Sequence, residues 1–241
     1  AFNDILKPLG IKKCGIRLDS GDIAYLSRKA RKMLDEAGWE NCTITVSNSL
    51  DEYLIQDLWM QDAKIDAFGV GERLITAKSE PVFGCVYKLV AVEDKDGNVT
   101  PKIKISENVG KITTPHFKKL YRFYGRDTGK AIADYLTVYD ETVDDSKNLE
   151  IFDPDATWKR KEVYHFEARE LLVPIYQKGK LVYKRPSVEE IKTYCAEQVD
   201  TLWDEVKRFD NPHNYYVDLS QKLYDIKTRL LNEKNERREQ N

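Results

Sequence analysis

The 241-residue sequence predicts an α/β fold over its first third, followed by an α+β region that closes on helices. Three observations carry that reading. Apolar, β-branched runs alternate three times with helix-patterned runs before residue 85. Glycine-centred hairpin turns follow. A long apolar stripe at helical spacing begins at Ser187. Strands alternating with helical crossovers imply a parallel sheet, whose ligand-binding loops lie at the C-terminal strand ends.

The opening AFNDILKPLG reads as the end of a helix closed by a turn at Pro8 and Gly10, so a sizeable N-terminal part is expected to precede it. Residues 13–18 form a first strand, with Cys14, Ile16 and Leu18 on one face. A helix over residues 23–37 is capped by Asp22 and ended by Gly38. Residues 42–46 are the second strand. Ser49 and Glu52 have capping-box spacing and open a helix to about Met60. Residues 64–70 give the third strand, ending in the turn Gly69, Val70, Gly71. The texture then changes. Strands over 86–92 and 102–105 flank a turn at 95–98. Further strands are expected over 119–124, 132–139 and 171–176, with a second hairpin turn at Lys178 and Gly179. A helix starting at Ser187, capped with Glu190, carries Val188, Ile191, Cys195, Val199, Leu202, Val206 and Phe209. A last helix starts near Leu219 with Leu223, Ile226 and Leu230, and its charged tail is expected to fray. The organisation is therefore residues 1–85 and residues 86–241.

The net charge is −2, from 39 basic and 41 acidic residues, which argues against a general nucleic-acid binder. No apolar run approaches the ~18 residues of a membrane span, and no signal peptide is visible. A cytoplasmic protein with no membrane or nucleic-acid partner is expected. Cys14, Cys42, Cys85 and Cys195 are widely spaced in apolar runs without a CxxC pair, so buried, reduced thiols are expected. His116, His165 and His213 show no metal-ligand spacing, and His116 and His165 show no partner.

The chemistry concentrates at the strand ends. Arg17 precedes Asp19, Ser20, Gly21 and Asp22. The arginine can fork onto a carboxylate or phosphate, and the two carboxylates can hold ribose hydroxyls or Mg²⁺. A plain turn with a helix cap, Arg17 pairing Asp19, accounts for the same residues equally well. Gly69 and Gly71 allow backbone N–H groups to approach a phosphate, and Ser47 and Asn48 close the preceding strand beside them. Tight-turn chemistry is the competing account. The aromatic segments 121–124 and 214–216 read as core packing rather than base stacking.

The segments GIRLDSGDIAYLSRKARKMLDEAG, VSNSLDEY, IDAFGVGERLITA and GCVYKLV resemble nicotinate phosphoribosyltransferases of the bacterial type in order and spacing. KISENVGKITTPHFKKLYRFY and NPHNYYVDLSQKLYDIKTRLL extend the resemblance over essentially the whole chain, as a C-terminal portion. The resemblance implies part of an irregular α/β barrel of the type II phosphoribosyltransferase kind, with an additional α+β region and C-terminal helices. Residues 1–85 would supply late barrel units. It implies a cytoplasmic homodimer that joins nicotinate to 5-phosphoribosyl 1-diphosphate with Mg²⁺ and coupled ATP hydrolysis, in NAD biosynthesis. It places Arg17, Asp19, Ser20 and Asp22 on substrate, with Asp19 as the catalytic carboxylate. Ser47, Asn48, Gly69 and Gly71 would bind the 5′-phosphate.

Two departures stand out. Ser49 replaces the aspartate frequent in the family, and no histidine here occupies the context of the family's phosphorylated histidine. The isolated chain is therefore expected to be inactive. The competing readings are a nicotinamide or quinolinate phosphoribosyltransferase, a non-catalytic phosphate-binding module, and an unrelated phosphate-binding barrel enzyme.

Overall fold

The computed structural model describes residues 1–82 and 84–239, the last six as backbone alone. It divides into two compact units, Ala1–Val86 and Tyr87–Asn241.

After a helical turn at Phe2–Leu6, the first unit runs β1 (Gly15–Leu18), α1 (Ile23–Glu36), β2 (Thr43–Ser47), α2 (Glu52–Met60), β3 (Ala67–Gly69) and the single turn α3 (Glu72–Ile75). The strands form an open parallel sheet in the order β1-β2-β3. The central strand follows from its sequence: Ile44 and Val46 alternate with polar residues and are fully buried. Ile44 packs with Leu34, Trp39 and Cys42, while Val46 packs with Ala24, Leu50 and Leu58. Burying side chains of this size contributes roughly 1.5–3 kcal/mol each.

The expected Asp22 cap is present, its carboxylate accepting the Tyr25 amide at 2.9 Å. The expected Ser49 cap is not. Asn48 and Ser49 turn through positive φ of 80° and 52°. Asp51, extended at φ −142°, becomes the cap of α2 and accepts the Leu54 amide at 2.9 Å. The third strand is also shorter than the pattern over 64–70.

In the second unit β4 (Ala91–Glu93) and β5 (Val99–Pro101) make the expected hairpin, with Gly97 at φ 83°. The flanking residues 86–90 and 102–105, expected as strand, are outside it. The main sheet is β10-β6-β7-β13, from β6 (Lys118–Gly125), β7 (Ala131–Val138), β10 (Phe166–Glu170) and β13 (Val217–Leu219). β13 lies parallel to β7, and the other pairs are antiparallel. The hairpin of β8 (Leu149–Phe152) and β9 (Arg160–Val163) contributes Ile151 and Val163 to a core built on Tyr121, Phe123, Tyr135 and Phe166. Residues 171–176 do not form the expected strand; pairing goes instead to β10, and only Tyr176 joins the small hairpin of β11 (Tyr176–Gln177) and β12 (Lys180–Leu181) around Lys178 and Gly179.

The capping box of α4 (Val188–Asp200) forms as expected, with Ser187 and Glu190 exchanging hydrogen bonds. The helix stops at Asp200, so Leu202, Val206 and Phe209 lie beyond it, and its stripe is not a core face: Val188 is 77% exposed. α5 (Gln221–Glu239) begins after Leu219, which belongs to β13. Its backbone stays helical through the tail expected to fray, and residues 240–241 lie outside the described residues. All four thiols are free, but only Cys42 is buried. Cys14 is half-buried, and Cys85 and Cys195 are exposed, against expectation. Burial pushes the Cys42 thiol up to about 11, which keeps it protonated and inert.

Asp218 on β13 is buried, and desolvation, reinforced by the Asp153 charge and opposed by Lys161, raises its carboxyl to about 6. The native state thus holds this proton more tightly than the unfolded chain, whose carboxyl titrates near ~3.9. Stability therefore falls as pH rises from about 4 through 6, and the penalty is complete above that window. Asp218→Asn should raise Tm at pH 7.5 by roughly 5–10 °C and leave it nearly unchanged at pH 4. Equal stabilisation at both values in scanning calorimetry would show that the carboxylate charge is not the cause.

Candidate functional site

Parallel pairing brings the C-terminal ends of β1, β2 and β3 to one edge, with Leu18 opposite Val46 and Ser47 opposite Gly69. The loops that follow are held together by side chains. The Arg17 Nε–H donates to Ser47 Oγ at 2.7 Å, and its Nη2 donates to Asp19 Oδ2 at 3.1 Å. Asn48 Nδ2 donates to the Asp19 carbonyl at 2.9 Å. Asn48 suits this role because asparagine tolerates the left-handed backbone it adopts here. Arg17 and Asp19 remain well exposed, with side-chain accessibilities of 64% and 51%, so the pair is a screened surface contact that contributes little stability.

Asp19, Ser20, Asp22, Ser47 and Asn48 line one cleft of about 430 Å³, floored by Leu50, Leu54 and Leu58. Gly21, at φ 78°, makes the turn into α1. Gly69 and Gly71 do not line the cleft. At Gly69 a Cβ would meet Ser47 Cβ at 3.2 Å, so this glycine permits close packing of β3 on β2. Gly71 has open space around its Cα, and its carbonyl accepts the Leu74 and Ile75 amides at 3.1 Å. The structure thus gathers Arg17, Asp19, Ser20, Asp22, Ser47 and Asn48, and sets the two glycines on the neighbouring strand end.

Sequence reading missed a second tie. Arg73 on α3 pairs with Asp51, linking the turn after β3 to the N-terminus of α2, and Ser79 Oγ donates to Glu52 at 2.8 Å. The Leu54 amide, then Arg73, hold the Asp51 carboxyl below the usual carboxylate range. An aspartate directly before a helix was the available signal for the cap; the Arg73 partner, 22 residues on, left none.

All three histidines lie in the second unit. His165 Nε2 sits 3.1 Å from Asp127 Oδ1, a partner the sequence did not reveal. His116 is buried, accepts the Phe117 amide at 2.9 Å through Nδ1, and stacks on Tyr139 with ring centres 5.9 Å apart. Among the described residues no group of three or more His, Cys, Asp or Glu is placed to hold a metal ion. Nor is any helix long and apolar enough to cross a membrane.

By its fold the first unit is of the parallel α/β class, and its polar groups gather at the edge where proteins of that class bind ligands. Comparison with known proteins narrows the class. Residues 117–227 match the nicotinate phosphoribosyltransferase C-terminal domain. The chain is 46% identical to a nicotinate phosphoribosyltransferase of Bacillus subtilis over 91% of its own length and 46% of that protein's. It is 34% identical to one of Dictyostelium discoideum over 91% of this chain and 39% of that protein. Human nicotinic acid phosphoribosyltransferase is similar in structure, with a TM-score of 0.66 and 26% identity, over 90% of this chain and 40% of that one. Nicotinate-nucleotide pyrophosphorylase from Pyrococcus furiosus shares the fold, at a TM-score of 0.55 over 81% of this chain and 42% of that one, with 24% identity. The chain is therefore similar to nicotinate phosphoribosyltransferases over most of its length, its residues 117–227 match their C-terminal domain, and it spans under half the length of these relatives.

Proposed function

We propose that this chain is the C-terminal portion of a nicotinate phosphoribosyltransferase, which makes nicotinate mononucleotide and diphosphate from nicotinate and 5-phosphoribosyl 1-diphosphate. The observation that carries the reading is the cleft lined by Asp19, Ser47 and Asn48, with Arg17 hydrogen-bonded to Ser47 and Asp19 at its edge, within a chain 46% identical to the Bacillus subtilis enzyme.

The chemistry follows from these groups. As diphosphate leaves, the ribosyl carbon becomes cation-like, and the Asp19 carboxylate stabilises that charge. Arg17, steered by Ser47 and Asp19, presents a guanidinium to anionic substrate groups. Ser20 and Asp22 line the same pocket for ribose hydroxyls, although one Asp22 oxygen is committed to capping α1. The amides of Gly69 and Gly71, beside Ser47 and Asn48, receive the 5′-phosphate in this reading.

Mg²⁺ fits the donor set: only Asp19 Oδ2 is taken by Arg17, and Mg²⁺ needs just one or two carboxylates besides phosphate and water. Bound there, it would neutralise the leaving diphosphate. ATP coupling is not routed through any histidine of this chain. Residues 1–85 then stand as late units of an irregular barrel, three strands of which form the open sheet β1-β2-β3. A cytoplasmic homodimer working in NAD biosynthesis completes the proposal.

The test is nucleotide formation from nicotinate, nicotinamide and quinolinate by an intact enzyme carrying this sequence, with Mg²⁺, ATP and the phosphoribosyl donor. Nicotinate should be the preferred base. Preference for either of the others would transfer the assignment to that enzyme. The 241-residue chain alone should form no product, because three strands cannot close a barrel. Turnover by the chain alone would show the site to be complete here.

A further inference from the structure

The segment Asn211, Pro212, His213, Asn214, Tyr215, Tyr216 has no part in the strand-end cleft. Its last four residues line a cavity of about 600 Å³ inside the second unit. That volume lies within the ~300–1,000 Å³ of small-molecule sites. The other walls come from the β6–β7 turn, the residues leading from β9 into β10, and the stretch around Trp203.

Hydrogen bonds within the second unit hold the walls together. Tyr215 donates its hydroxyl to Asp134 at 3.0 Å and carries the Arg122 guanidinium 5.7 Å from its ring centre. The His213 amide donates to the Glu205 carbonyl at 2.9 Å, and the Ala131 amide to the Thr201 carbonyl at 2.8 Å. Trp203, Tyr215 and Tyr216 line this space.

The charges around it are unevenly satisfied. Asp127 is engaged by His165 at 3.1 Å, and Glu162 accepts from Asn148 at 3.0 Å. Glu205 is exposed to water. Among the described residues, the two cations lining the cavity, Lys161 and Arg208, have no carboxylate at ion-pair distance. Lys161 Nζ lies 5.7 Å from the Tyr216 ring centre, and Arg208 Nε donates to the Glu205 carbonyl at 3.3 Å. An aromatic wall with two cations outside ion-pair distance of the described carboxylates suits a π-system bearing negative charge: the ring stacks, and the anion takes charge-assisted hydrogen bonds.

We infer that the second unit holds a separate binding site for a planar aromatic ring joined to an anionic group, with Trp203 and Tyr216 against the ring and Lys161 and Arg208 on the anion. The site lies wholly within Tyr87–Asn241 and does not depend on the activity assigned to the first unit.

Isothermal titration of the 241-residue chain with two probes, AMP and benzoate, tests it. AMP carries its phosphate through a sugar, and benzoate carries its carboxylate on the ring. At least one should bind saturably at one site per chain. Binding by benzoate as well as AMP would place the anion directly at the ring; binding by AMP alone would place it across a spacer. Lys161→Met and Trp203→Ala should each weaken binding by about tenfold or more, the loss of one charge-assisted contact or one stacked ring. Lys161→Arg should restore it, which separates lost charge from lost folding, and circular dichroism checks each variant. Asp19→Ala should leave this affinity unchanged. Absence of saturable binding by both probes overturns the inference. So does binding that is insensitive to Lys161→Met and Trp203→Ala but lost in Asp19→Ala, since the ligand would then sit in the strand-end cleft.

Discussion

Asp19→Ala, in an intact enzyme carrying this sequence, is expected to lower kcat/KM for nicotinate mononucleotide formation by roughly 10²-fold or more, the scale of losing one preorganised electrostatic contributor. Asp19 lines the strand-end cleft, and among the described residues its carboxylate's side-chain partner is the exposed Arg17. Removing it leaves the loop tied by the hydrogen bond from Asn48 to the Asp19 carbonyl, which alanine keeps. The urea midpoint should therefore move little, because a half-exposed ion pair contributes ~0–1 kcal/mol. Steady-state kinetics beside equilibrium unfolding separates the outcomes. Near-normal turnover would reduce Asp19 to a turn residue. Lost turnover with a matching loss of stability would make it a structural residue. Only a catalytic loss in a stable protein supports the proposed role.

The largest stability effect is expected at Arg122→Met. Arg122 on β6 stands opposite Asp134 on β7 and forks onto it, Nε to Oδ1 at 2.7 Å and Nη2 to Oδ2 at 2.9 Å. The side chains are 22% and 12% exposed, so the pair is largely out of water. Methionine would leave the Asp134 carboxylate, among the described residues, with the Tyr215 hydroxyl as its remaining side-chain donor. Breaking a buried pair on one side costs ~3–5 kcal/mol, because the surviving charge stays desolvated. Replacing both partners, Arg122→Met with Asp134→Leu, should recover much of that loss. Urea unfolding of wild type, single and double variants checks both statements. A single-variant loss below ~1 kcal/mol would place the pair among weak, solvated contacts.

Where the local chain dictates its own geometry, the sequence was a sufficient guide. Asp22 before an apolar stripe, the Ser187 and Glu190 box, and glycine at the 95–98 and 178–179 turns are decisions of a few residues, and each forms. Pairs of glycine, or of glycine with a polar neighbour, meet the positive φ of hairpin turns at little steric cost. The three parallel strands were legible for a related reason, since β-branched runs between helical crossovers admit few other arrangements.

The misses share a cause of the opposite kind. Leu149, Ile151, Arg160 and Glu162 form a hairpin only because each strand has the other to bond to, and the 149–152 run is too short and mixed to announce itself. Residues 171–176 carry strand-like composition but lose the place beside β6 to Phe166–Glu170, where Phe166 can enter the core against Phe123, ring centres 4.7 Å apart. The α4 stripe continues in sequence to Phe209, yet the helix ends at Asp200, where the Asp200 and Leu202 carbonyls take up Lys130. At the cleft, Ser49 has the right spacing for a cap, but the left-handed backbone at Asn48 and Ser49 hands that role to Asp51.

By itself the sequence determined the class of the first unit, the strand-end address of its polar residues and the family resemblance, because these depend on local pattern and order along the chain. Tertiary structure alone decided which of those residues meet. Arg17 finds Ser47 across 30 positions, Asn48 finds Asp19 across 29, and Tyr215 finds Asp134 across 81. Such contacts are selected by the register of paired strands and by the need to satisfy polar groups away from water, and neither condition exists until the chain has folded.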